Sequence, residues 1–344
     1  MKLKKFSEFM REWLYAKDGY YAKFRQIGKK GDFYTAVSSS MFFGGSIAKK
    51  FLTSLKEGFF SKDAFILEIG AHQGYLLADI VQFIYTLEPK LLDTLTFAIV
   101  EPQDENIKAQ KDYFKKSFGD AVKLQHFKSL KDLNLKEAFI VSNELFDAFE
   151  CEVIKDGKQL YIDENFEPHF MEMDEFTKKL SNKYNIKIGE IAKGYEEFAK
   201  DLSNGIKKYE FITFDYGEKL PRGDISLRIY SKHQVYPFFS LTKFAKDENL
   251  NENISLKTLF KKSDITYDVH FNHLIDSFKE SKAKDIEFKS QITALTEFGL
   301  IELLDMLRKN TDQKTYFSEL NRAKLLIDPA FMGERFKMFK CRKY

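Results

Sequence analysis

The chain predicts an α/β fold: a mostly parallel sheet with helices on both faces, an N-terminal helical segment and helical insertions. Three observations carry this. Apolar strands and helical stretches alternate as β-α-β-α-β between Ala64 and Asn143, the order that crossover helices impose on a parallel sheet. The stretch Ala138–Asn143 (AFIVSN) is nearly all apolar, as a strand covered on both faces must be. Leu67–Leu76 (LEIGAHQGYL) passes from a strand through a glycine-bearing turn into a helix.

The elements follow in order. Phe6, Phe9, Met10, Trp13 and Leu14 share one helical face, so an amphipathic helix packed on the body is expected at the N-terminus, with helices continuing to Leu55. A strand at Ala64–Gly70 precedes a helix from Tyr75, whose Leu76, Leu77, Ile80, Val81 and Ile84 form one buried stripe. Strands recur at Thr96–Glu101, Val122–Phe127 and Ala138–Asn143, with a helical Asn106–Phe118 between the first two. Cys151–Lys155 and Gln159–Ile162 flank Asp156-Gly157 as a hairpin. A helical insert near Met173–Asn204 follows, then strands at Tyr209–Asp215 and Ile225–Tyr230. The stretch 240–310 reads as mostly helical, and Arg335–Arg342 alternates as a last strand. This gives an N-terminal helical segment (1–58), an α/β domain (59–155 and 206–344), a hairpin and helical insert (156–205) and a helical insertion (240–310).

Composition narrows the function classes. The 344 residues, 44% hydrophobic, suffice for one large domain with insertions or for two domains. Net charge is +3, from 55 basic and 52 acidic side chains. Lysine pairs such as Lys29-Lys30 and Lys261-Lys262 are scattered, so no basic stripe for nucleic acid emerges. The only cysteines, Cys151 and Cys341, match no zinc pattern and read as reduced thiols of a cytoplasmic protein. His270 and His273 lie three apart with no third ligand in view. The N-terminus has no continuous apolar core for a secretory signal, and Glu8 and Glu12 argue against a transit peptide. No apolar run approaches the ~20 residues of a membrane span.

Three strand ends carry candidate chemistry. Gly70 and Gly74 let backbone N–H groups and a helix N-terminus approach a nucleotide-like ligand, although a tight turn needs glycine for packing alone. Glu101, ending the next strand, suits the two hydroxyls of a ribose; a solvated strand end is the plainer explanation. Together these favour a ribose-bearing cofactor without separating NAD from S-adenosylmethionine. Ser142–Glu150 (SNELFDAFE) places Asn143, Glu144 and Asp147 after a buried strand, where a helix N-terminus is the competing interpretation.

Quoted in order, the motifs resemble the MidA-like family of class I (Rossmann-like) S-adenosylmethionine-dependent methyltransferases, which includes the mitochondrial complex I assembly-factor arginine methyltransferases. IGKKGDFYTA (Ile27–Ala36) and MFFGGSIA resemble its N-terminal signature, and LEIGAHQGYLLADI its glycine-rich motif. IVEPQDENIKAQ (Ile99–Gln110), SNELFDAFE, FDYGE (Phe214–Glu218), SLRIYSKH (Ser226–His233), Asp264-Ile265-Thr266, Gln291 and MGERFK (Met332–Lys337) complete the series. The resemblance covers Tyr20 to Phe339. It implies S-adenosylmethionine as cofactor and a protein substrate, extending to an arginine on a core subunit of respiratory complex I. Four departures stand out. His72 replaces the middle glycine of the turn, costing about 1–2 kcal/mol if that position needs positive φ. Val37–Ser40 replaces Pro-Glu-Ile-Ser, Phe149–Cys151 replaces Leu-Pro-Val, and Asp268 and His270 exchange the family's His and Asp.

Under this resemblance, Gly70 and Gly74 admit the methionine part of the cofactor and Glu101 its ribose, beside Asn143. Glu144 pairs with a substrate guanidinium, with Asp147 as helper or loop anchor and Glu152 as a further candidate. Asp32, Tyr34 and Thr35 close over the site. The rival readings are a non-catalytic assembly factor that keeps the fold, motivated by His72 and Val37–Ser39, and a nucleotide-dependent oxidoreductase, for which the Asn143–Asp147 loop has no use.

Overall fold

Seven strands of one sheet organise the part of the chain that holds the glycine-rich turn. The computed structural model describes residues 2–22, 35–244 and 254–344. The chain divides into two units: 1–34, 146–196 and 217–276 form one, and 35–145, 197–216 and 277–344 the other.

The second unit contains β1 (Phe65–Ile69), β2 (Thr96–Val100), β3 (Leu124–Phe127), β4 (Leu135–Asn143), β5 (Ile206–Glu218), β6 (Lys284–Ser290) and β7 (Phe336–Lys343); the last two residues of β5 belong to the other unit. Their order is β3-β2-β1-β4-β5-β7-β6. The pairs from β3 to β5 are all parallel. At the other edge, β7 runs antiparallel to both β5 and β6. The expected mostly parallel sheet is therefore realised over the β3-to-β5 half, and the sheet as a whole is mixed. The edge strand β6 lies inside the stretch that periodicity reads as helical. Its sequence KDIEFKS is charged and only half-buried, so no apolar run marks it.

Helices cover both faces. Successive residues of a strand point to opposite sides. On one side, Phe214 of β5 meets Phe43 edge-on at 4.9 Å, and Phe139 of β4 meets Phe51 at 5.4 Å. Phe43 and Phe51 lie on α1 (Phe42–Lys56). On the other side, Phe211 stacks on Phe278 with centroids 4.9 Å apart and packs near Phe198. The first core takes in α2 (Tyr75–Leu87), whose Leu76, Leu77, Ile80, Val81 and Ile84 are all buried. Glu210 of β5, fully buried, is neutralised by Arg342 at 2.5 Å and Lys50 at 3.3 Å, as a charge removed from water requires.

The first unit is built on antiparallel pairing. The hairpin Cys151–Lys155/Lys158–Ile162 forms around Asp156 (φ 51°) and Gly157 (φ 74°), extended by Ile188–Ala192, Pro168–Glu172 and Lys4–Lys5. Ile188–Ala192 interrupts the region that reads as a helical insert. The N-terminal helix spans Phe6–Tyr15, with its five expected apolar residues buried. Arg228–Ser231 pairs with Gln234–Pro237 and Asp264–Thr266 in a separate sheet. Among the described residues, no helix is long and apolar enough to cross a membrane.

The contact between α1 and α2 sets a test. A Cβ at Gly44 would lie 2.5 Å from Asp79 Cβ, and one at Gly45 would lie 2.7 Å from the Phe83 ring. Helix propensity alone favours Ala over Gly by about 1 kcal/mol, whereas overpacking costs about 1–3 kcal/mol. Gly44→Ala is expected to lower stability in denaturant unfolding; a variant more stable than the parent would contradict this packing.

Candidate functional site

The chain leaves β1 towards β2 and β3 on one side, and β4 and β5 lie on the other. The gap beyond the carboxyl ends of β1 and β4 is thus a topological switch point, where an open α/β sheet offers a ligand crevice. Gly70 follows β1, Glu101 follows β2 and Asn143 ends β4.

The turn after β1 needs left-handed backbone at alternate positions: Gly70 has φ 75°, His72 φ 46° and Gly74 φ 78°. A Cβ on Gly70 would come within 2.9 Å of Leu145 Cδ1, and one on Gly74 within 3.2 Å of Phe114. Glycine at both ends therefore meets a steric as well as a dihedral demand. His72 adopts the same region with a side chain, at the cost of about 1 kcal/mol expected for it. The Gly74 N–H closes the turn on Ala71 O (2.7 Å), and Gly74 is the left-handed cap of α2.

Glu68, the acidic residue before the turn, faces the protein rather than the crevice. Its Oε2 accepts the Leu77 N–H of α2 at 3.0 Å, satisfying one of the helix's free donors. Burial pushes its carboxyl up to about 8, with the Leu77 hydrogen bond opposing. Burial likewise lifts Asp79 up to about 7.

Glu101 is 6% exposed. Its Oε1 accepts the Gln103 N–H (2.9 Å), and the Gln110 side-chain amide approaches Oε2 at 3.4 Å. Burial raises its pKa, while Gln103, Asn106 and Gln110 pull the other way. The carboxylate retains acceptor capacity, since it offers about four sites and Gln103, Gln110 and Asn106 supply three donors. Gln110, on α3 (Asp104–Phe118), also donates from Nε2 to the His72 carbonyl at 2.7 Å. Its Oε1 pairs with His126 Nε2 at 2.9 Å.

At the end of β4, Glu144 takes φ 50° and its N–H donates to Phe214 O (2.9 Å). Asn143 Nδ2 donates to Glu144 Oε1 at 2.9 Å, while Asn143 Oδ1 is buried with no hydrogen-bond partner among the described residues. The Leu145 N–H donates to Asp215 Oδ2 (3.1 Å), fixing the side chain that abuts Gly70. Gly70, Gly74, Glu101, Asn143 and Glu144 thus all lie at or just beyond the carboxyl ends of three neighbouring strands of one sheet.

Other expected residues fall elsewhere. Asp147 belongs to the first unit, in a short 3-10 turn at Phe146–Ala148 rather than at a helix N-terminus; it is buried, and its carbonyl accepts the Tyr267 N–H (3.1 Å). Glu152 is a structural acid: fully buried, it accepts from Ser7 Oγ at 2.5 Å and anchors the N-terminal helix, with Lys193 3.6 Å away. Thr35 caps the helix Ala36–Ser39 in a reciprocal pair with Ser38. Asp32 and Tyr34 lie outside the described residues. Sequence reasoning missed Gln110 and Leu145. For Gln110 the available signal was a polar residue four positions before the buried Phe114, on the inward stripe of its helix.

A parallel half-sheet with a left-handed glycine turn at its switch point defines a doubly wound domain built for a nucleotide-like cofactor. Residues 46–288, more than half of the chain, match the family of S-adenosyl-L-methionine-dependent methyltransferases, and the chain belongs to that family. Its cofactor is S-adenosylmethionine. The mitochondrial protein arginine methyltransferase NDUFAF7 of Rattus norvegicus is 22% identical, over 97% of this chain and 79% of that protein. A superfamily member from Burkholderia thailandensis, solved with S-adenosyl-homocysteine, shares the fold at TM-score 0.80 and 20% identity, over 99% of this chain and 88% of its own. A native structure of a protein from the same organism matches at TM-score 0.78 and 21% identity, over 99% and 87%.

The inward acid gives a pH signature. A carboxyl whose pKa rises on folding makes the folded state bind more protons than the unfolded chain, so stability falls as pH climbs from 4.5 to about 8. Glu68→Gln keeps an acceptor for Leu77 and removes this titration. Thermal unfolding at pH 5 to 8 is expected to show a smaller decline for the variant than for the parent; parallel declines would contradict the protonated Glu68.

Proposed function

We propose that this methyltransferase modifies an arginine of a protein substrate, with Glu144 as the carboxylate that receives the guanidinium. The observation that carries this is the backbone of Glu144. A non-glycine residue in the left-handed region costs about 1 kcal/mol and persists where its surroundings enforce it. Here the Phe214 carbonyl and the Asn143 amide hold it. Its half-buried carboxylate follows the strand beside the glycine turn.

The residues present fit the cofactor. Gly70 and Gly74 keep the turn tight against Leu145 and Phe114 in left-handed backbone, and such a glycine turn at a strand end suits the methionine part. Glu101, with acceptor capacity left on its carboxylate, suits a ribose hydroxyl. Asn143, with Oδ1 buried and unsatisfied, offers an acceptor to the same ligand. Bound S-adenosylmethionine supplies an electrophilic methyl on a sulfonium.

The chain's own part is positional and electrostatic. An arginine stays protonated at neutral pH. A carboxylate pairs with it bidentately, orients one nitrogen and offsets a charge that would repel a sulfonium. Asp147 anchors the loop after Glu144 through the Tyr267 N–H. The kinship with a protein arginine methyltransferase over 97% of the chain supports an arginine substrate, and from the motif resemblance to the complex I assembly-factor family we extend the proposal to a subunit of respiratory complex I. The two cysteines, both buried free thiols, support a reducing, cytoplasmic setting.

Two substitutions separate binding from transfer. Glu101→Ala is expected to weaken S-adenosylmethionine binding in calorimetry by about 100-fold or more, for two charged hydrogen bonds lost. Glu144→Gln is expected to bind within about threefold of the parent yet transfer labelled methyl to protein about 100-fold more slowly. Normal methylation by Glu144→Gln would remove the assigned role.

A further inference from the structure

Gln110 is fully buried in the middle of α3, and its amide reaches two parts of the candidate site. Nε2 lies 2.7 Å from the carbonyl of His72, in the glycine-rich turn, and 3.4 Å from Glu101 Oε2. Oε1 lies 2.9 Å from His126 Nε2 on β3. An amide oxygen only accepts, so His126 must present Nε2–H. That donor fixes which end of the Gln110 amide faces the turn. Burial holds the His126 pKa down to about 4, with Lys111 and Lys128 acting in the same direction, so the ring stays neutral. The aliphatic part of Gln110 also walls the turn, with Cγ 3.7 Å from where a Gly74 Cβ would stand.

One side chain therefore ties together strand β3, the strained carbonyl of the turn and the carboxylate at the end of β2. We propose that Gln110 is a positioning residue for cofactor recognition: by bridging His72 O and Glu101 Oε2, it holds the Glu101 carboxylate in the orientation that receives the ribose hydroxyls. The proposal rests on the reading of Glu101 as the ribose acceptor. In this role Gln110 acts through Glu101. The Gln103 N–H holds only the other oxygen, Oε1. Without Gln110 the carboxylate keeps the Gln103 N–H and the Asn106 side chain but loses the donor that reaches Oε2 from the turn, and the His72 carbonyl loses its donor.

The test compares S-adenosylhomocysteine with its 2′-deoxyadenosyl analogue by calorimetry on the full-length protein, as the parent, Gln110→Met and Glu101→Gln. The parent is expected to prefer the hydroxylated ligand by about tenfold, the scale of one hydrogen bond to a charged group. Gln110→Met, close in length and without polar atoms, is expected to bind that ligand about tenfold more weakly and to reduce the preference to about twofold. An equal loss for both ligands, leaving the preference intact, would assign Gln110 a purely structural role and overturn the proposal. A parent with no preference, matched by Glu101→Gln, would overturn the ribose reading itself and the proposal with it. If Gln110→Met does not fold in a thermal melt, His126→Phe carries the test, because it leaves the Gln110 amide in place and removes only its orienting donor. A narrowed preference in that variant supports the proposal; a preference equal to the parent's overturns it.

Discussion

The chain's reversal after β1 is the constraint on which the rest of the site depends. Within five residues the backbone must leave a buried strand, turn, and enter α2. It does so through three left-handed residues at alternate positions, Gly70, His72 and Gly74. Leu145 presses on the first and Phe114 on the last, so neither glycine has room for a side chain. Everything else at this edge is arranged around that closeness. The Glu68 carboxylate caps α2 from below, the Gln110 amide holds the middle carbonyl, and Asp215 fixes the backbone that carries Leu145.

Three carboxyl groups at neighbouring strand ends have different environments. Glu68 is sealed inside against one helix donor, which favours its neutral form and suits it to structure. Glu101 is buried but offered several donors, which keeps its oxygens directed and in part available. Glu144 is half-buried on a strained backbone, held by its neighbour's amide. Burial against a single donor favours a neutral carboxyl, burial with several donors orients it, and partial exposure leaves it open to solvent. In the first unit, Glu152 follows the same logic: complete burial against Ser7 makes it an anchor for the N-terminal helix.

Much of this was legible in the residues, for physical reasons. The strands of the parallel half are covered on both faces, so they appear as apolar runs, and their carboxyl ends follow directly. The Asp156-Gly157 hairpin was legible because both residues occupy left-handed backbone, for which that dipeptide is suited. The edge strand Lys284–Ser290 was hidden by its solvated side chains, and Ile188–Ala192 by the helical stretches on either side. The turn Phe146–Ala148 reads as a helix start because acidic and amide residues serve both purposes. Glu152 follows Glu144 and Asp147 in an acidic stretch, yet the hairpin strand that carries it is buried on both faces. Gln110 is nine residues beyond Glu101, and nothing local says that it reaches back to the turn after β1. Its role depends on a helix lying across the ends of two strands, which is a property of the folded chain.

The central claim is that an adenosyl cofactor lies where β1 and β2 end, against the Gly70–Gly74 turn. Backbone hydrogen exchange with and without saturating S-adenosylhomocysteine measures this most directly. Slowed exchange is expected at residues 70–77 and 101–104, with the amino ends of the same strands unchanged. Protection confined to other segments, or none at saturation, would contradict it.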